Sequence, residues 1–193
     1  MTCEILLVRH PETTANVEGR LVGRGSAPFT RTGRAQLRRV PRKVVHFKPD
    51  VVWSSPLERA LVLANAAGRA CGHEVHVDSR LMELDFGQAE GMTFEEVAAA
   101  GMAFNYRDRE RPVAPGGESR ADIERRSSEF CRELIAQGGR HAVVTHGGVF
   151  RAALVALLGL ASTDIWAFHI HNAQLATVRV VDGHGTLERY VEG

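Results

Sequence analysis

Cysteine is scarce, with only Cys3, Cys71 and Cys131 in 193 residues. An odd, widely spaced set suits neither a disulfide framework nor a CxxC metal site, so a reducing cytoplasm is the expected home. Net charge is nearly absent too. Lys+Arg 24 against Asp+Glu 23 leaves +1, so no overall field draws the chain to nucleic acid or to an acidic membrane, and any anion site has to be a local cluster. No apolar run approaches membrane-spanning length. The one in MTCEILLVRH is too brief for a signal peptide and lacks a basic flank. Neither GxxxxGK[ST] nor a convincing GxGxxG occurs, which leaves nucleotide binding by those routes unsupported. Internal repeats and low-complexity tracts are also missing.

What is present is a 44% hydrophobic chain, enough for one buried core. Residues 4–9 (EILLVR) read as a buried strand, 16–29 as a Gly-rich loop, and Thr30 as the cap of a helix that Pro41 should end. A strand at 50–53 (DVVW) leads to SSPLERALVLANAAGRACG, where Ser55 fits an N-cap, Pro56 the first helical position and Glu58 the reciprocal partner. A short strand at 74–77 and the irregular stretch LMELDFGQAEG follow. Thr93 and Glu96 then form a capping box opening TFEEVAAA. Residues 101–118 mix Gly, Pro and charge and read as a surface excursion, before a helix from Ser119 to Gln137 with Ile123, Phe130, Leu134 and Ile135 on one face. Strand 141–146 (HAVVTH), helix GGVFRAALVALLG and two strands at 174–181 and 186–191 complete the chain. This alternation predicts an α/β fold: a three-layer sandwich with a mostly parallel central sheet, helices on both faces and an antiparallel pair at the end.

Arg9, His10, Arg59 and His146 all fall at or just past strand ends, where open α/β sheets present their ligands. Arg59 lies in the first turn of its helix, against the macrodipole. Either something negative sits there or Arg59 pairs with a neighbour such as Glu58. His146 could be a capped core residue, yet Gly147-Gly148 turn the chain into a helix whose free N–H groups suit an anion. Four donors converging at one sheet end make a pocket for a dianion such as a phosphoryl group. A metal is not expected: His169 and His171 alternate onto one face of an extended segment, with no third ligand at useful spacing.

RHPETTAN, SSPLERA, MELDFGQAEG, PGGES and VTHGG, in that order across residues 5–148, resemble the histidine phosphatase superfamily, the phosphoglycerate mutase-like group. HNAQLATV, with Asn172 before an edge strand, adds to the likeness. The resemblance implies one domain over 1–193 with a lid-like excursion at about 101–118. It also implies His10 as nucleophile forming a phosphohistidine, Arg9 and Arg59 binding phosphoryl oxygens, His146 donating to them, Asn16 closing the pocket and Glu83 as proton donor, with Gly147 among the binding residues. Asp85 is the rival for the acid. Such chemistry works without a metal if fixed positive charge neutralises the transferring group, and those cations also keep the His10 imidazole neutral. No cofactor is expected. Two departures stand out. Pro11 replaces the family's Gly and removes a backbone donor, which raises a non-catalytic phosphoester-binding module as an alternative. Ala89 stands where relatives often carry an aromatic and would widen the pocket.

Cofactor-dependent phosphoglycerate mutases of the group carry a longer insertion before the second histidine, whereas 62 residues separate Glu83 from His146. The expected activity is therefore a phosphomonoesterase on small phosphorylated metabolites, with the mutase as the enzymatic alternative. FGQAEGMTFEEV is similar to α-ribazole phosphatases, and sugar-phosphate phosphatases share the pattern, so α-ribazole phosphate and a sugar phosphate both stay open. RDRER, at net +1, either recruits an anionic substrate or is an exposed turn of alternating charge. The expected partner is a small phosphorylated substrate, not nucleic acid or a membrane, and the oligomeric state stays open, a homodimer being one option.

Overall fold

The computed structural model describes residues 2–193. Its strands are β1 (Thr2–Arg9), β2 (Val51–Ser54), β3 (Val75–Val77), β4 (Gly139–Thr145), β5 (Leu175–Val181) and β6 (His184–Val191). They form a single sheet in the order β3-β2-β4-β1-β5-β6. The first four neighbours run parallel, whereas β5 is antiparallel to both β1 and β6. The antiparallel part is thus one strand wider than the pair the sequence suggests. The strand after Asn172 is consequently an inner one, with β6 at the edge, because β6 folds back along β5 through the Asp182-Gly183 turn.

Helices α2 (Arg31–Phe47) and α3 (Glu58–Cys71) cover one face, and α5 (Arg120–Gln137) and α6 (Gly147–Leu158) the other, with α1 (Thr14–Val17) and α4 (Phe94–Ala99) as short turns between them. The period of two along a strand decides which layer each residue meets. Leu6, Val8, Ala142 and Val144 pack with Val40, Val44 and Leu63, whereas Ile5, Leu7 and Val143 pack with Phe130, Leu134, Phe150 and Leu154. Among the described residues no helix is long and apolar enough to cross a membrane.

Two helix boundaries differ from the sequence reading. Pro41 does not end α2, which runs on to Phe47. A proline inside a helix costs about 3 kcal/mol, but Val44 and Phe47 beyond it are buried against the sheet, and each such side chain recovers about 1.5–3 kcal/mol. Helix α3 begins at Glu58, not Pro56, and Leu57 is its N-cap. Ser55 Oγ still accepts from Leu57 N at 3.2 Å, the bond an N-cap side chain makes, and it also meets His146 Nε2 at 2.7 Å. The other two caps form as expected, Thr30 accepting from Gly33 N and Thr93 boxed with Glu96. The 101–118 stretch contains no helix or strand but is not wholly superficial. Val113 and Ala114 are buried, and Gln88 N donates to Pro115 O at 2.9 Å.

Candidate active site

Because β1, β2 and β4 are parallel and in register, with Arg9 opposite Thr145 and Ser54 opposite Val144, they end along one line. His10, Ser55 and His146 each follow directly on one of these ends. His10 is pinned between neighbouring segments: its N donates to Thr145 O at 2.9 Å and its O accepts from Ala173 N at 3.1 Å. Its Nδ1 lies 2.8 Å from Pro11 O. A carbonyl can only accept, so Nδ1 carries the proton and Nε2 keeps the lone pair. The proline that costs the loop an N–H thus contributes a C=O that sets the tautomer.

The His10 ring is 3% exposed. Burial pushes its pKa well below the ordinary histidine value, and Arg9 and Arg59 push it further, against the Pro11 hydrogen bond. Desolvation therefore outweighs the cations in keeping this imidazole neutral. The His146 ring stands 5.2 Å from it, centroid to centroid. His146 is fully buried, which likewise drives its pKa well down, with Arg59, His10 and Arg9 adding to the effect. Its Nε2 is held by Ser55, while Nδ1 has no protein partner.

Arg9 donates from Nη1 to Ile170 O at 2.6 Å, and its buried Nε is unpartnered. Burial pulls its pKa down to about 10, opposed by Glu83, so the guanidinium is charged at neutral pH. Arg59 does not pair with Glu58. It donates to three loop carbonyls, Gly25 O at 2.7 Å, Gly23 O at 2.8 Å and Val22 O at 3.1 Å. From the other side, Glu90 accepts from Gly23 N and Gly25 N at 3.0 Å. The loop is thus clamped between a buried cation and a carboxylate.

Glu83 accepts from Gly148 N at 3.1 Å and Leu84 N at 2.8 Å, which sets its carboxylate against the start of α6. Asp85 faces elsewhere: it accepts from Gly87 N at 2.8 Å and lies 3.8 Å from Arg24. A Cβ on Gly147 would stand 3.5 Å from Arg9 Nε and 3.7 Å from Arg151 Nη1. Asn16 Oδ1 accepts from Thr13 N, Thr13 Oγ1 and Asn172 Nδ2 at 3.0, 2.9 and 2.9 Å, and Asn172 Nδ2 also reaches His10 O at 3.4 Å. Every residue expected in the pocket therefore lies around one end of the sheet. Ala89 is fully buried in the core.

Several supporting residues escaped the sequence. Arg126 donates to Arg80 O at 2.6 Å, Glu83 O at 3.2 Å and Glu118 Oε2 at 3.0 Å, holding the backbone that carries Glu83. Glu118 also accepts from Asp85 N at 3.1 Å, which gives PGGES a positioning task. Ser55, Glu90 and Arg151 complete this group. The signal for Ser55 was the doubled serine in SSPLERA, whereas Arg151 gave none.

Buried orphan donors are costly, about 1–3 kcal/mol each. Arg9 Nε is one such donor and His146 Nδ1 becomes another if Ser55 Oγ–H donates to Nε2; beside the unprotonated Nε2 of His10 and a carboxyl group, this is an arrangement that a phosphoryl group satisfies.

The model of the histidine phosphatase superfamily (branch 1) matches residues 5–193. The chain is 36% identical over 173 residues to a glucosyl-3-phosphoglycerate phosphatase of Mycolicibacterium vanbaalenii, covering 84% of this chain and 76% of the relative. It is 31% identical over 183 residues to a probable phosphoglycerate mutase of Salmonella paratyphi C, covering 91% and 84%. An α-ribazole phosphatase structure from Shigella flexneri superposes with a TM-score of 0.87 at 26% identity, covering 98% of this chain and 96% of that one.

Proposed function

Because the chain belongs to the histidine phosphatase superfamily, we propose that His10 is the nucleophile of a phosphatase acting on small phosphorylated metabolites. The observation that carries this reading is the His10–Pro11 hydrogen bond at 2.8 Å, which leaves Nε2 unprotonated inside a ring of arginines. Nε2 attacks phosphorus, the P–O bond to the alcohol breaks, and the departing oxygen takes the proton of Glu83. Pro11 O then stabilises the positive imidazolium through Nδ1–H. Water next attacks phosphorus and gives its proton to Glu83, and the P–N bond breaks to release phosphate and free His10. Arg9, Arg59 and the Nδ1–H of His146 neutralise the equatorial oxygens, and the remaining Nδ2 donor of Asn16 closes the ring with Gly147.

The phosphatase in Mycolicibacterium vanbaalenii supports hydrolysis over phosphoryl transfer. The short 101–118 segment acts as a lid in this reading. The three free cysteines suit a reducing, cytoplasmic setting. The test is phosphate release from a panel of phosphorylated metabolites without any bisphosphate activator. Wild type should turn over at least one of them while His10→Ala, folded by circular dichroism, should lose the activity. Isomerisation of phosphoglycerate that depends on 2,3-bisphosphoglycerate, without phosphate release, would overturn the choice.

A further inference from the structure

The two ring nitrogens of His146 meet different surroundings. The residue is fully buried, Nε2 lies 2.7 Å from Ser55 Oγ, and Nδ1 has no protein partner. A ring nitrogen that bears hydrogen donates and one that lacks it accepts, so the position of one proton decides what His146 offers a ligand. A lone pair at Nδ1 would repel an anion, whereas an N–H would bind it.

The other contacts of Ser55 settle the choice. Ser55 is fully buried just past β2, and its backbone N donates to Val144 O at 3.0 Å, two residues before His146. A hydroxyl has one hydrogen and two lone pairs. One lone pair accepts from Leu57 N at 3.2 Å, at the head of α3. Among the described residues the hydroxyl hydrogen has a single acceptor, His146 Nε2. With the proton on Nδ1, Leu57 N–H, Ser55 O–H and Nε2 therefore form one chain running in one direction, and only the Nδ1–H is left for a ligand. With the proton on Nε2, two N–H groups converge on Ser55 Oγ, the hydroxyl hydrogen has no acceptor and Nδ1 is a bare lone pair. That arrangement orphans two buried polar groups where the first orphans one, and each orphan is costly. A ring carrying both protons is opposed by burial and by Arg59, His10, Arg9 and Arg126 around it, and would again strand the hydroxyl hydrogen.

We propose that Ser55 is a positioning residue of the active site: by donating to Nε2 it keeps the His146 proton on Nδ1, so that the ring presents an N–H to the phosphoryl oxygens. The chain of donors begins at the N-terminus of α3, whose first turn also carries Arg59, so one helix end sets two groups of the pocket. Both histidines then hold their proton on Nδ1 by opposite means. At His10 an acceptor, Pro11 O, holds it from the same side, and at His146 a donor, Ser55 Oγ–H, excludes it from the other. What the Nδ1–H meets rests on the phosphatase reading above; the proposal adds the group that places the proton.

Long-range proton–nitrogen correlation NMR on protein labelled with ¹⁵N-histidine reads the tautomer directly, because protonated and bare ring nitrogens resonate in separate ranges. The His146 signals are identified by their absence from His146→Asn. Wild type at about pH 7 should show a protonated Nδ1 and a bare Nε2. Ser55→Ala, folded by circular dichroism, should move the pair toward a protonated Nε2. It should also lower kcat/KM for p-nitrophenyl phosphate by about ten- to a hundredfold, the worth of one hydrogen bond to a charged group. Ser55→Thr, which keeps the hydroxyl, should retain the wild-type tautomer and most of the activity. A protonated Nε2 in wild type would overturn the proposal without any Ser55 variant having to fold. So would an unchanged tautomer in Ser55→Ala, since a merely structural serine could cost activity but would leave the ring proton where it was. A wild type with protonated Nδ1 that hydrolyses no phosphomonoester, p-nitrophenyl phosphate included, would bring down the phosphatase reading and leave the hold of Ser55 on the ring intact.

Discussion

At the scale of single residues, the acid role is the sharpest question. Glu83 accepts from the start of α6 while Asp85 turns toward Arg24, so the proposed mechanism gives the proton of the leaving alcohol to Glu83. Glu83→Gln should slow formation of phosphohistidine from an alkyl ester by about 10²–10⁴-fold. It should slow p-nitrophenyl phosphate less in that step, because p-nitrophenolate leaves without a proton. Rapid-quench kinetics on Glu83→Gln and Asp85→Asn separates the two carboxyls, and selective alkyl-ester loss in Asp85→Asn alone would move the role to Asp85. Arg9, His10 and His146 were legible from sequence because each sits at or just past a strand end, a position that periodicity reveals, whereas Glu83 lies in an irregular stretch and Asn16 in the short turn α1, and only the family resemblance singled these two out. The partners of all these residues were not legible. Pro11 looks like a lost donor until its carbonyl is seen 2.8 Å from His10 Nδ1, and Arg151 looks like an ordinary helix residue until α6 folds beside Arg9.

At the scale of elements, the site depends on how closely α6 approaches the segment carrying Glu83. A Cβ on Gly148 would stand 2.9 Å from Ile123 Cδ1 and closer still to Glu83 Oε1. Both are inside normal contact, so the carboxylate has to move. Gly148→Ala should therefore lower kcat/KM, which reports formation of phosphohistidine, more for an alkyl ester than for p-nitrophenyl phosphate, while vanadate still binds, since the arginines and His10 are undisturbed. Equal loss of kcat/KM on both esters would mean that α6 itself had shifted. The same scale explains the misplaced end of α2. Local rules made Pro41 a stop, but burial of Val44 and Phe47 carries α2 past the proline. That override is tertiary, so no window of sequence contains it. The Thr93–Glu96 box of α4, with no such competitor, was read correctly.

At the scale of the whole molecule, burying two neutral histidines links stability to pH. His10 and His146 titrate well below the ordinary value of 6.5 when folded, so below that pH the unfolded chain takes up protons that the native state refuses. Stability is then full above about pH 6.5 and falls as pH drops toward the folded values, by up to about 1.4 kcal/mol per pH unit for each histidine. The lowered carboxylates Asp78 and Asp122 act only below their ordinary value of 3.8, outside this window. Urea unfolding at about pH 7 and pH 5.5 should show the loss, and His10→Ala should make it shallower; a pH-independent midpoint in wild type would contradict the burial of both rings as neutral species. The claim on which everything else depends is that the phosphoryl group passes through His10. Glu83→Gln, mixed with p-nitrophenyl phosphate, quenched in alkali and mapped by tandem mass spectrometry, tests it most directly. One phosphoryl group on His10, absent from the His10→Ala, Glu83→Gln double variant, is the expected result. Steady turnover with no phosphorylated His10, or with the group on another residue, would contradict it.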